Sequence, residues 1–373
     1  MLKYLDMEEK GRSRDLWEEA FPEDSKAFDD YYFSEKLKDN RILAIEEGGR
    51  IQSMVQLNPY LLQVKARRWR VDYLVGVATR KDKRHQGYMR RLLLQMMSDM
   101  KAEKMPFCFL MPADEAIYRP FGFTYIFRQP EWSLKAGLSL ERRALNPLAS
   151  TDVKHFGTEQ QRIAQAAAWM NDWLARRYQV FAVRDKAYLL RLLDEVASED
   201  GTLELLYDGA EGRMVGLQSF WGLHEREQRL LYVEDAYVQA AAGEAKPAIM
   251  ARIISLDAFL RVIHLKESAK QEELTIRLWL DDPLIAENHG LWIWHLNHEA
   301  SWVEPGADLR QEDQQDAWQD ARQDAQPVHA QADLCLTIDE LTAWLFGYQV
   351  PKAAESWDPL IETLRDVFLD EVV

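Results

Sequence analysis

Residues 71–96 read VDYLVGVATRKDKRHQGYMRRLLLQM, and the fold turns on them. The apolar run Tyr73–Ala78, interrupted only by Gly76, is short and bounded by polar residues, which suits a strand buried on both faces. Arg80–Arg84 follows as a loop with four basic residues. Gly87 then opens a segment whose apolar residues Met89, Leu92, Leu93, Met96, Met97 and Met100 recur at helical spacing. Buried strand, basic loop, glycine and helix, in that order, predict an anion cradle. A glycine lets backbone approach a ligand closely, the N–H groups of a first helical turn attract phosphate, and Arg84 and Arg90 add charge-assisted contacts. Taken alone, the stretch also allows an ordinary strand–helix crossover with a solvated loop.

The loop carries neither G-K-[ST] nor G-x-G-x-x-G, so Walker and dinucleotide folds are set aside. It resembles motif A of the GNAT N-acetyltransferases, V-x-V-x-x-x-x-[RQ]-x-x-G-x-[GA]. Here the motif runs Val77-Ala78-Thr79, then Arg84-His85-Gln86-Gly87-Tyr88-Met89, with Thr79 for the second valine and Met89 at the last small position. The resemblance implies acetyl-CoA as cosubstrate. Strand residues Val77, Ala78 and Thr79 would pair with its pantetheine arm, and the segment Arg84, His85, Gln86, Gly87, Tyr88, Met89 and Arg90 would hold its pyrophosphate. A second stretch, IYRPFGF at 117–123, is similar to the family's [FIY]-Y-x-x-x-G-F, which makes Tyr118 the residue facing the coenzyme sulfur.

A chain of 373 residues exceeds one compact core, and two or three domains are expected. No apolar run reaches the roughly 18 residues of a membrane span, and the N-terminus MLKYLDMEEKGR has no signal-peptide core. Cys108 and Cys335 lie in separate apolar strand-like segments, read as two buried thiols without a disulfide framework, which points to the cytoplasm. The net charge of −16 argues against nucleic acid and for a cationic small-molecule substrate. His289, His295 and His298 lack the companions of a recognisable ligand set, so no metal is expected.

Along the chain, 2–5 reads as a strand and 8–20 and 25–37 as helices. Arg41–Glu47 and Ile51–Leu57 form a hairpin through Gly48-Gly49. Pro106–Pro112 is a buried strand, and a final strand runs from Thr124 to Leu134. A domain thus closes near residue 150. Residues 160–195 read as helical, strands are expected at 202–207, 214–221 and 229–237, and a helix near 246–264. Strands follow over 273–304, then a Gln/Asp-rich stretch 311–331, read as an exposed insertion or helix. A strand at 332–338, a helix at 339–346 and a helix at 358–369 complete the chain.

The whole layout resembles the Eis-like (enhanced intracellular survival) acetyltransferases. That implies an α/β (α+β) chain of two GNAT-type mixed-sheet domains in tandem, followed by a sterol-carrier-like α/β domain. The domains would be 1–150, catalytic; 151–270, without coenzyme; and 271–373, through LTIRLWLDDPLIAENHGLW and ADLCLTIDELTAWLFGY. The resemblance further implies a hexamer and a C-terminus that enters the active site, making the carboxylate of Val373 the general base. It places a substrate wall around Phe21, Glu23 and Tyr32, with Glu371 a further candidate. The expected reaction is direct attack of a primary amine (an aminoglycoside, polyamine or lysine) on acetyl-CoA. The oxyanion would meet a backbone N–H near Thr79, and Tyr118 would protonate the thiolate, since a phenol at pKa ~10 lies near a thiol. The competing class is a degenerate acyl-CoA or apolar-ligand sensor.

Overall fold

The computed structural model describes residues 1–145, 153–240, 244–306 and 332–371. The stretch 311–331 and Val373 therefore lie outside the described residues. The chain forms two compact units, one of Met1–Pro59, Gly76–Met89 and Arg128–Lys246, the other of Tyr60–Val75, Arg90–Phe127 and Pro247–Val373. The motif-bearing elements are, in order, β1 (Leu2–Tyr4), helices α1 (Arg14–Ala20) and α2 (Lys26–Glu35), strands β2 (Arg41–Glu47), β3 (Arg50–Val64) and β4 (Arg67–Thr79), helix α3 (Tyr88–Ala102), strand β5 (Phe107–Leu110), the short helix α4 (Glu115–Tyr118) and strand β6 (Thr124–Gln129). β3, β4 and α3 pass from one unit into the other.

In the first unit, β1 and β2 pair antiparallel with Leu2 opposite Ile45, and β2 and β3 with Arg41 opposite Leu57. The end of β4 borders β3. Gly76, in β4, is packed under the indole of Trp17 so closely that a Cβ would lie 2.6 Å from Cζ3. Trp17, Tyr32 and Phe28, all buried, form the core beneath α1 and α2. A four-stranded antiparallel sheet in the order 227–233, 214–221, 202–208, 140–145 completes the unit, with helices Val153–Ala175 and Lys186–Ser198. The indole of Trp173, buried in that part, stacks on Tyr232 at 5.1 Å. The helical reading of 160–195 is interrupted by the strand Val180–Ala182, whose three residues are all buried.

In the second unit, the start of β4 meets β5 in parallel at Tyr73 and Phe109. The strand Lys246–Ile253 lies between β5 and β6 and runs antiparallel to β5, with Arg252 opposite Cys108. The expected helix at 246–264 is thus a strand followed by the short helix Leu256–Leu260. Residues 248–253 are buried without interruption, and a strand covered on both faces has no period-2 pattern to distinguish it from a buried helix. Further on, the strands Ser301–Pro305, Gly290–Asn297, Glu273–Asp281 and Leu334–Thr337 form a mixed sheet in that order, the last pair parallel. Thr337 and Glu340 form a reciprocal capping box that starts the helix Ile338–Leu345. Phe107, Phe259 and Phe346 meet at ring separations of 5.1–6.0 Å in the core. Each such ring contributes roughly 1.5–3 kcal/mol by leaving water.

Two further expectations are corrected here. Residues 358–369 are not helical; they form turns and the short strands Ile361–Glu362 and Val367–Phe368. Lys266 N–H donates to Leu360 O and Leu364 N–H to Leu345 O, so tertiary pairing takes the groups that a helix would use, and Asp366 has a positive φ of 54°. Cys335 is exposed, because Leu334 and Leu336 take the buried side of their strand; only Cys108 is buried. No described helix is long and apolar enough to cross a membrane.

Candidate active site

In the first unit, Ser53 Oγ donates to Ala78 O at 2.9 Å and lies 2.7 Å from Thr79 Oγ1, tying the end of β4 to β3. Arg80 does not belong to a solvated loop. Its N–H donates to Gln52 O, its Nε donates to Ile51 O at 3.0 Å, and its guanidinium pairs with Asp15 and Glu19 on α1 while only 2% exposed. The N–H of Lys81 donates to Glu19 at 3.1 Å; with Arg80 it holds that carboxyl below the usual carboxylate range.

Beyond Arg80 the loop opens. Arg84 Nε donates to Thr79 O at 3.2 Å and Gln86 Nε2 to Asp82 O at 2.9 Å, so the loop folds back on the strand it leaves. His85 and Gly87 have φ of +61° and +80°. Left-handed backbone is costly for histidine and free for glycine. A Cβ at residue 87 would meet nothing within 4 Å, so the space over the turn is open. Arg84, His85, Gln86, Gly87 and Arg90 are exposed, whereas Met89, Val77 and Thr79 are half-buried and Ala78 is buried. Tyr88 turns its ring inward and donates to Glu47 at 2.7 Å, anchoring the first turn of α3; this bond, with Lys83, lowers the Glu47 pKa. The strand end, the left-handed turn and the helix start thus form an exposed rim, with its side-chain anchors on the opposite face.

The same unit holds an acidic, aromatic cluster. Trp17 stacks on Tyr32 at 4.4 Å and meets Phe21 at 4.8 Å. Tyr32 is fully buried and its hydroxyl lies 3.2 Å from Gln56 Oε1 and 3.3 Å from Asn58 Oδ1, so it supports the indole from behind. Phe21 is half-buried and Glu23 exposed. Trp17 Nε1 donates to Asp24 Oδ2 at 2.9 Å. Burial pushes Asp24 up to about 6, with Asp29, Glu23 and Glu199 adding to the rise. Asp29 is only 5% exposed, its pKa is raised by burial, and among the described residues its Oδ1 has no hydrogen-bond partner. Sequence reading named Glu23 and not Asp24 or Asp29, the two carboxyls of this cluster whose pKa burial raises. The available signal was a carboxylate inside the aromatic run FDDYYF, on the buried face of α2.

In the second unit, Tyr118 closes α4, which Asp114 caps by accepting from Ala116 N–H at 2.9 Å. The turn continues through Phe121 to Gly122, whose φ is +75°. Tyr118 is 8% exposed and packs edge-on to Phe123 at 6.0 Å. Among the described residues its hydroxyl has no hydrogen-bond partner, and burial alone pushes it up to about 12. Glu371 is buried. His295 Nε2 lies 2.8 Å from Glu304 and its ring stacks on Trp302 at 5.0 Å; among the described residues no group of three or more candidate ligands could hold a metal.

Residues 2–126 match the family model of the GNAT acetyltransferase domain, and residues 256–360 match that of the sterol carrier protein domain. The chain is therefore an acetyltransferase of mixed α/β fold with a sterol-carrier-like C-terminal region. No curated protein matches. Among solved structures, a probable N-acyltransferase from Enterococcus faecalis is similar at 16% identity, with 96% of this chain and 93% of that one covered and a TM-score of 0.71. A GCN5-related N-acetyltransferase from Kribbella flavida is similar at 14% identity over both full chains, with a TM-score of 0.68. Eis1 from Mycobacterium abscessus is similar at 12% identity over both full chains, with a TM-score of 0.65. These likenesses are of fold.

Proposed function

We propose that the chain is an Eis-like N-acetyltransferase that moves the acetyl group of acetyl-CoA to a cationic primary amine. The observation that carries the reading is the rim from Val77 to Arg90. It offers exposed backbone at His85 and Gly87, a helix start, and the guanidinium groups of Arg84 and Arg90 for a pyrophosphate. Arg80 is excluded from that role by its ion pairs with Asp15 and Glu19.

In this reading Asp24 and Asp29 receive the ammonium of the acceptor beside Phe21 and Trp17. Both carboxyls sit in an environment that resists their charge, and a cation relieves it. Neutral amine then attacks the thioester carbonyl, forming a C–N bond as the C–S bond breaks. A backbone N–H of the strand end near Thr79 would meet the carbonyl oxygen as its charge develops, as the resemblance implies. Tyr118, at about 12, is a weaker acid than a thiol, whose pKa is ~8.5. It serves as a hydrogen-bond donor to the sulfur as negative charge develops, and complete proton transfer is completed by solvent. The resemblance assigns acceptance of the amine proton to the carboxylate of Val373. A C-terminal tag is then expected to abolish turnover without changing the thermal melt.

The test is acetyl-CoA turnover across aminoglycosides, polyamines and lysine peptides. The reading expects thiol release that depends on a cationic amine and slows as salt rises. Acetyl-CoA binding without amine-dependent release from any member would overturn it in favour of a sensor.

A further inference from the structure

We infer that Arg252, held by Asp282, is a positioning residue for Tyr118, an inference that rests on the proposed role of that tyrosine. Arg252 lies on the strand Lys246–Ile253 and is fully buried. One terminal nitrogen donates to the carbonyl oxygen of Phe121 at 3.0 Å, three residues beyond Tyr118, and the other donates to Asp282 Oδ1 at 2.6 Å. Asp282 is also fully buried. Its carboxylate accepts from the N–H groups of Leu284 and Ile285 at 3.2 Å and from Asn288 Nδ2 at 3.1 Å. Asn288 Nδ2 in turn donates to Ile254 O at 2.9 Å. The carboxylate is thus fixed by its own surroundings, and the guanidinium is fixed by the carboxylate.

The tyrosine's turn is shaped to receive this guanidinium. Gly122 has φ +75°, and a Cβ there would collide with the Arg252 nitrogen and lie 2.8 Å from Ile338 Cγ2. Glycine is required both by the backbone conformation and by the approach of Arg252. Gly122 N–H donates to Arg119 O at 2.9 Å and Phe123 N–H to Tyr118 O at 3.4 Å, so a force on Phe121 is transmitted to Tyr118 through a short hydrogen-bonded turn.

Two observations favour positioning over simple stabilisation. The Tyr118 hydroxyl has no hydrogen-bond partner among the described residues, so the phenol is oriented through its backbone and ring packing. Among the described residues, Arg252 also leaves its buried Nε without an acceptor, a cost that an apolar side chain would avoid. What the arginine supplies in return is one defined distance to the Phe121 carbonyl.

The experiment is a double-mutant cycle on kcat, with Arg252→Gln and Asp282→Asn each made in the native chain and in a Tyr118→Phe background. In the native chain either change is expected to lower kcat by about tenfold while leaving KM for acetyl-CoA within about twofold, since small misplacements are costly in turnover. In the Tyr118→Phe background the further loss is expected to stay below about twofold. Arg252→Lys, which keeps one donor, is expected to recover part of the turnover. If thermal melts show that Arg252→Gln does not fold, the isosteric Asp282→Asn and Arg252→Lys decide the question. Equal losses in both backgrounds, or no loss in the native chain, would overturn the inference alone. Full turnover by Tyr118→Phe itself would overturn the reading beneath it.

Discussion

Arg84 Nε donates to the carbonyl oxygen of Thr79 at 3.2 Å, while Arg80, four residues earlier, points its guanidinium the other way into Asp15 and Glu19. Two arginines of one short loop are thereby given different work. Arg84→Ala is expected to raise KM for acetyl-CoA by about tenfold, with an effect that fades at high salt, and to leave the melt unchanged. Arg80→Met is expected to cost about 2–3 kcal/mol of stability, because it leaves the partly buried Glu19 without its cation. Urea unfolding beside steady-state kinetics on both variants checks this split.

Tyr118→Phe removes only the hydroxyl, and the ring keeps its contact with Phe123. The expected loss in kcat is about 10²-fold, with KM for acetyl-CoA unchanged. Since burial raises the phenol to about 12, it remains protonated through the assay range. The pH–rate profile of the native enzyme is therefore expected to show no limb from this tyrosine below about pH 10. A descending limb at pH 8–9 that disappears in the variant would contradict that assignment.

Asp24 gives a stability prediction of definite sign. Its folded pKa, about 6, lies above the ordinary value of 3.8, so the folded state holds the proton more firmly than the unfolded one. The resulting stabilisation is complete below about pH 4 and is lost as pH rises through 6. Asp24→Asn is expected to be more stable than the native chain at pH 7.5 by about 1 kcal/mol, after discounting for solvent screening, with the difference vanishing near pH 4. The same change is expected to raise KM for the amine. Chemical denaturation at the two pH values, with amine kinetics at the higher one, measures both effects.

The strand, loop and helix of 71–96 were legible because burial, charge and glycine change abruptly at their boundaries. The turn after Tyr118 was legible through the Gly122-Phe123 pair, and the structure supplies the reason for that glycine in Arg252. Arg252 itself was hidden, since Pro247–Ile254 reads as uniformly apolar around one charge and its partner lies thirty residues away in sequence. The segment 358–369 misled for a related reason: its apolar residues Ile361, Leu364 and Phe368 fall at helical spacing, but Leu364 N–H goes to the distant Leu345 O, and Ile361 and Phe368 lie in short strands. Asp24 and Asp29 were passed over because acidity at a helix start ordinarily signifies capping. Only burial, and an Asp29 Oδ1 without a partner among the described residues, separate them from that role.

Gly87 tests the central claim most directly. At φ +80° with open space beyond it, a valine there strains the turn and occupies the place where bound backbone and pyrophosphate would meet, without touching the core. The measurement is calorimetric titration of acetyl-CoA into the native chain and into Gly87→Val, with thermal melts of both. The account predicts binding at least tenfold weaker in the variant and melts within a few degrees of each other. Equal affinity in the two proteins would contradict it.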